Sequence, residues 1–296
     1  MKIRILYYSG TGSTKLVAEA LSRALIEQDP ALEVSLFRIW RGELPPVGKV
    51  DRLIVLYPVH AANAPRPVLR LLRCLLSEEA CLTTLVCVSA GGECLFNNGC
   101  REAAKAVLLK RGYPIISEHH IIMPANIFKD TPFLLACELM KVLPGKVKRI
   151  AADVLGDLPR QLPSSRAGRK IAKLAKIEQK QSWRLAKSIK VSDACVGCGK
   201  CADLCPEGNI HMEAGQPRFA KRCAACMACL LGCPQRALKP GLYRWAIPKQ
   251  GYPLAEWQEA ADIRPPMSEK EIRRLAQGPW RALANYLLHD DSVPAE

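Results

Sequence analysis

Two matching cysteine runs constrain this chain more than anything else in it: Cys195, Cys198, Cys201 and Cys205-Pro206, then Cys223, Cys226, Cys229 and Cys233-Pro234. Each reads C-x2-C-x2-C-x3-C-P. Three thiols two residues apart can wrap a tight loop around three corners of a metal–sulfur cube. The fourth lies past a turn that proline closes, so it points away from its own loop. Zinc could use C-x2-C pairs, but it takes four ligands at one tetrahedral point and gives no reason for a third step followed by C-P. Disulfides require an oxidising compartment. The doubled run therefore reads as a set of iron–sulfur ligands.

Over residues 191–240 these runs resemble the bacterial two-[4Fe–4S] ferredoxin domain. That resemblance implies a crossed ligand set, in which each fourth cysteine serves the other cluster. One centre would take Cys195, Cys198, Cys201 and Cys233, and the other Cys223, Cys226, Cys229 and Cys205.

At 296 residues the chain has room for a second, larger core. It contains no apolar run near the length of a membrane span. The N-terminus enters a strand-like stretch with no small-residue cleavage site. The expectation is a cytoplasmic protein whose cysteines stay reduced. Net charge is +15, and residues 151–190 alone carry ten basic and three acidic side chains.

Residues 3–8 read as a buried strand and are followed by Ser9-Gly10-Thr11-Gly12-Ser13-Thr14, then by a helix carrying Leu16, Ala20, Leu21 and Leu25. A strand, a hydroxyl-rich loop and a helix N-terminus together make an anion site. The loop lacks the third glycine of a dinucleotide fingerprint and the G-K-[ST] of a nucleotide P-loop. Strands are expected at 34–39, 53–57, 82–89 and 115–123, with helices at 67–76, 101–111 and 133–155. Alternation of this kind implies a parallel α/β sheet.

Residues 5–21 resemble the flavodoxin phosphate signature. The resemblance implies a doubly wound, five-stranded sheet in the order 2-1-3-4-5, with FMN at the switch point. The phosphate would then lie on Ser9–Thr14. The ring would lie between Tyr57-Pro58-Val59-His60-Ala61-Ala62-Asn63 and Ser89-Ala90-Gly91-Gly92. Tyr57 reads equally as a ring-stacking or a buried strand-end tyrosine, and His60 more as a surface histidine than a flavin ligand. Asn97-Asn98-Gly99 reads as a turn. His119 and His120 are adjacent on a strand, face opposite sides and so do not share a metal.

The whole chain resembles a flavodoxin–ferredoxin fusion, an architecture of anaerobic and facultative prokaryotes. It divides into a flavodoxin-like domain (1–157), a basic helical linker (158–190), a small α+β ferredoxin domain (191–240) and a helical extension (241–296). In the linker, Ile171, Leu174, Ile177, Leu185 and Ile189 would form one narrow buried stripe. The basic face reads first as a solvated connector and second as a docking surface for an acidic redox partner. Nucleic acid is not expected, since a single aromatic, Trp183, interrupts the run. In the tail, Ser268-x-x-Glu271 is a capping box that opens a helix expected to reach Leu288. The function implied is an electron carrier relaying between two clusters and FMN. The rival readings are an FMN oxidoreductase acting on a small molecule and a redox-sensing module built on the basic helix.

Overall fold

The computed structural model describes residues 1–46, 48–241, 244–248 and 251–289. The first half runs β1 (Lys2–Tyr7), α1 (Ser13–Gln28), β2 (Glu33–Arg38), β3 (Arg52–Pro58), α2 (Arg66–Cys74), β4 (Leu82–Ser89), α3 (Glu102–Lys110), β5 (Ile115–Ile122) and α4 (Phe133–Leu155). All neighbouring strands pair in parallel in the order β2-β1-β3-β4-β5. This is the flavodoxin-like order. The central strands β3 and β4 are buried along nearly their whole length, as strands covered on both faces must be.

Side chains alternate across β1 and feed two cores. Ile3, Ile5 and Tyr7 pack with α1 and α4, while Leu6 and Tyr8 pack with α2 and α3. The strand order reverses between β1 and β3, so the carboxyl ends of these strands open a crevice.

The second half comprises α5 (Arg166–Gln181), α6 (Trp183–Ser188), β6 (Ile189–Val191), α7 (Lys200–Asp203), β7 (Ile210–Glu213), β8 (Gln216–Phe219), α8 (Ala228–Leu231), β9 (Leu238–Pro240), α9 (Leu254–Ile263), α10 (Glu269–Leu275) and α11 (Arg281–Leu288). Strands β6 and β9 form one antiparallel pair, and β7 and β8 form another. The buried apolar core of this small unit is little more than Leu185, Met227, Leu230 and Leu238. A core that small leaves metal ligation to supply much of the folding free energy.

Three expectations need correction. The linker is two helices, α5 and α6; Leu185 and Ile189 of the expected stripe pack in the small unit's core, but the buried side of α5 is not the apolar stripe. Leu174 and Ile177 are 67% and 58% exposed, whereas Gly168, Ala172 and Gln179 are buried. Close backbone approach decides this. A Cβ on Gly99 would stand 2.5 Å from the Gly168 carbonyl oxygen, so only small residues fit where α5 crosses the first domain. The linker is thus docked rather than a free connector. Asn63 Nδ2 donates to the Ala172 carbonyl at 2.7 Å, and Gln179 Nε2 donates to the carbonyls of His60 and Ala64 at 2.7 and 3.1 Å.

The tail helix is also interrupted. Ser268 and Glu271 form the capping box as expected, but α10 stops at Leu275. Gly278 adopts φ +56°, and Pro279 both lacks an N–H and disfavours helix in the residue before it. The tail then packs on the α1/α4 side of the first domain through Trp257, Ile272 and Leu283. Burying each of these is worth roughly 1.5–3 kcal/mol.

Candidate cofactor sites

The eight cysteines of the two runs line two separate small cavities. Cys205, Cys223, Cys226 and Cys229 surround one, together with Leu185, Ile210 and Phe219. Cys195, Cys198, Cys201 and Cys233 surround the other. Each cavity thus draws three thiols from one run and one from the other. The runs repeat in backbone as well as in sequence. Gly197 and Gly199 take φ of 69° and 74°, and the equivalent Ala225 and Met227 take 51° and 62°. That left-handed turn costs about 1–2 kcal/mol for each non-glycine residue, so its retention marks a constraint on thiol placement.

The donor set fits iron–sulfur cubanes. Among the described residues no three His, Cys, Asp or Glu groups converge as a single metal ion would require. Four thiols around a cavity, without a common point, suit the separate irons of a cluster. Backbone N–H groups of Asn209, Ala225 and Ala237 point at the sulfurs of Cys205, Cys223 and Cys233 at 3.2, 3.3 and 3.3 Å. Burial pushes the Cys226 thiol up to about 12 and Cys229 well above its usual range. Thiolates there require a cationic partner, which iron supplies.

A third cavity, of about 240 Å³, occupies the crevice at the carboxyl ends of β1, β3 and β4. Ser9, Gly10, Thr11, Ser13, Thr14, Pro58, Val59, His60, Ser89, Ala90 and Gly91 of the expected site line it. The remaining expected residues, Gly12, Tyr57, Ala61, Ala62, Asn63 and Gly92, do not line it. Gly12 caps α1 at φ +104° and no side chain occupies that helix end, which leaves its first N–H groups for an anion. Ala61 and Ala62 both sit at positive φ, bending the loop after β3. Tyr57 is fully buried in the α2/α3 core, so a stacking role for it is corrected. Strand alternation sends its ring into the sheet's packed face. His60 lines the cavity instead of standing in solvent.

Sequence reasoning missed the segment after β5, which contributes Met123 to Phe128, and Tyr252 from the tail. Asn126 Nδ2 donates to Thr11 Oγ1 at 2.9 Å. The Tyr252 hydroxyl donates to the Pro124 carbonyl at 2.8 Å and also meets Ser13 Oγ. Asn97, read as a turn residue, lines the cavity and donates to Ser89 Oγ at 3.1 Å. No local pattern marks these positions, because they are brought in by chain segments remote in sequence.

The third cavity and the first share a wall. Cys226 lines both. A Cβ on Gly10 would stand 2.4 Å from the Cys226 carbonyl oxygen, so glycine lets the two loops touch. His60 Nδ1 is 3.1 Å from the Ala224 carbonyl oxygen, which fixes the proton on that nitrogen. Arg70 clasps Glu207 through both guanidinium nitrogens at 3.1–3.2 Å. Arg41 holds Pro206 and Ala202 through its backbone N–H and its guanidinium. The Tyr8 hydroxyl is buried beside Cys226 without a completed hydrogen bond. Burial first, then Cys226 and Glu207, pushes it well above its ordinary range.

A flavodoxin-like sheet carrying a doubled cysteine unit defines an electron-transfer or redox protein. The model of the 4Fe-4S dicluster domain matches residues 187–249. Pyruvate synthase subunit PorD of Methanothermobacter marburgensis is 36% identical over 58 residues, which are 20% of this chain and 69% of that protein. Through this segment the chain belongs to the 4Fe-4S dicluster family and holds two [4Fe–4S] centres. The first domain is similar to the flavodoxin of Streptococcus pneumoniae TIGR4, with 14% identity, TM-score 0.37, and coverage of 53% of this chain and all of the other. It is also similar to an archaeal flavodoxin, with 14% identity, TM-score 0.36, and coverage of 60% and 99%. Likeness at that level adds nothing to the strand order, which carries the fold by itself. No helix among the described residues is long and apolar enough to cross a membrane.

Proposed function

We propose that this protein relays electrons between a redox partner, two [4Fe–4S] centres and an FMN held in the third cavity. Cys226 carries this reading, because one residue lines both a cluster cavity and the flavodoxin-type crevice. FMN can hold one or two electrons and a cubane passes one at a time, so the pair converts between the two kinds of chemistry. Ser9, Thr11, Ser13 and Thr14, with the open end of α1, would hold the phosphate. The ligand sets we assign are Cys205, Cys223, Cys226 and Cys229 for the inner centre, and Cys195, Cys198, Cys201 and Cys233 for the outer one.

The outer centre is the port for the partner. Cys198 is exposed, and Val196 beside it is 68% exposed. Along α5, Lys170, Lys173, Lys176 and Lys180 stand in solvent with Leu174 and Ile177, a surface suited to an acidic partner. Complementary charge of this kind speeds encounter and weakens with salt. The named pyruvate synthase relative supports anaerobic metabolism as the setting.

Anaerobic purification with quantitation of flavin, iron and sulfide tests the reading. About eight irons and eight sulfides per chain with one FMN are expected. A zinc-only or flavin-free preparation refutes it.

A further inference from the structure

Beside the third cavity lies a hydrogen-bonded chain that the relay does not use. Ser89 ends β4 and lines the cavity, and its Oγ is 2.7 Å from His120 Nε2 on β5. His120 Nδ1 is in turn 2.5 Å from Glu93 Oε1. The His120 side chain is 3% exposed, while Glu93 reaches solvent at 31%. Behind Glu93 stands the buried Arg101, which also bonds Glu118, and Lys105 pairs with Glu118 from α3. Burial pushes Glu93 up, but His120 and Arg101 outweigh it and hold the carboxyl below its ordinary range. The charged and titratable groups facing His120 are therefore Glu93 from the loop after β4, Arg101 at the start of α3, and the Cys87 thiol from its register partner on β4.

Serine, histidine and carboxylate in this order resemble a nucleophilic triad. The serine's surroundings argue against that use. Ser89 Oγ accepts N–H bonds from Gly92 at 3.0 Å and from Asn97 at 3.1 Å. Both lone pairs are occupied, so none is free to attack a carbonyl.

The same saturation gives the chain a different use. With Glu93 ionised, neutral His120 keeps its proton on Nδ1, and Nε2 accepts the Ser89 hydroxyl hydrogen. If Nε2 gains a proton, Ser89 Oγ faces three donors with two lone pairs, so its hydrogen turns away from His120, one lone pair accepts the new N–H, and Asn97 Nδ2 leaves Ser89 while keeping its bond to the Gly92 carbonyl. We propose that His120 is a proton-uptake site linked to reduction of a flavin in this cavity. One proton from solvent hydronium binds Nε2, so an N–H bond forms as an O–H bond of hydronium breaks and water is left. Ser89 keeps its own O–H bond and turns it toward negative charge arriving in the cavity. The electron comes from the reduced clusters, so this inference rests on the proposed relay. His120 is a positioning residue acting through Ser89.

Two measurements decide it. In the full-length protein, with or without flavin, long-range ¹H–¹⁵N correlation spectra should show neutral His120 with its proton on Nδ1 and Nε2 bare. An Nε2–H tautomer overturns the proposal even if no flavin binds, which separates its failure from that of the relay. In flavin-loaded protein, anaerobic reduction monitored with a pH-indicator dye should release one fewer proton from solution to the protein in His120→Gln than in the parent chain. Equal uptake overturns the proposal. Glu93→Gln keeps the histidine but removes the stabilising charge, and should move the midpoint of that uptake toward lower pH. An unmoved midpoint overturns it as well, and flavin content measured in each sample reports the relay independently.

Discussion

The two cysteine cavities are built from the same spacing and the same backbone turn, yet their surroundings differ sharply. The outer set has an exposed Cys198 and an exposed Val196. The inner set is packed against the first domain, sharing Cys226 with the crevice and touching Gly10. An identical local motif thus acquires two environments from what is pressed against it. Solvent exposure and hydrogen bonding are also the levers that set cluster potential, so the two centres should differ in potential as well as in position.

The sharpest way to break that comparison is at the shared cysteine. Cys226→Ser should remove about four of the eight irons and stop flavin reduction by electrons entering at the outer centre. Cys198→Ser should cost similar iron but leave the inner EPR signal. If both variants lose the same signal, the division of the two runs between separate centres is wrong. Gly10→Ala should be next in size. Its methyl group collides with the Cys226 backbone, so the loops must part at a cost of about 1–3 kcal/mol, measured as a lowered denaturant midpoint and lost flavin.

The pH dependence should come from the same seam. Burial holds His60 down at about 4, and its bond to the Ala224 carbonyl offsets this only in part. The unfolded chain binds that proton near 6.5, so stability present above pH 6.5 is lost as pH falls toward 4. The loss is on the order of 3 kcal/mol. Denaturant midpoints measured against pH should flatten in His60→Gln. A slope unchanged by that substitution assigns the effect elsewhere. The smallest effect expected is from Tyr8→Phe. Its hydroxyl dipole is buried beside Cys226, and losing it should lower the inner potential by at most roughly 60 mV, equivalent to about 1.4 kcal/mol for one electron. A shift confined to the outer centre contradicts the seam.

Much of this arrangement is legible before folding. Cysteine spacing is local chemistry, and a two-residue step fixes which thiols can share a loop. The parallel sheet is legible for a similar reason, since alternating apolar runs and amphipathic helices admit few layered solutions. The Ser9–Thr14 loop is legible because a strand, a glycine turn and a helix start are contiguous. Tyr57, Asn97 and the α5 stripe are not. Their side chains answer to which face a neighbour covers, and neighbours are chosen by contacts far apart in sequence.

The sequence by itself determined the donors: eight thiols in two runs and a hydroxyl-rich helix start. Only the tertiary structure decided that Cys226 stands at the crevice wall, that Tyr252 and Asn126 close the crevice, and that His120 meets Ser89 and Glu93. The physical reason is that ligand type and spacing are properties of a short stretch of chain. Adjacency between an inner cluster site and a flavin-type crevice depends on a glycine contact, an Arg70–Glu207 clasp and a docked helix, each joining segments more than a hundred residues apart.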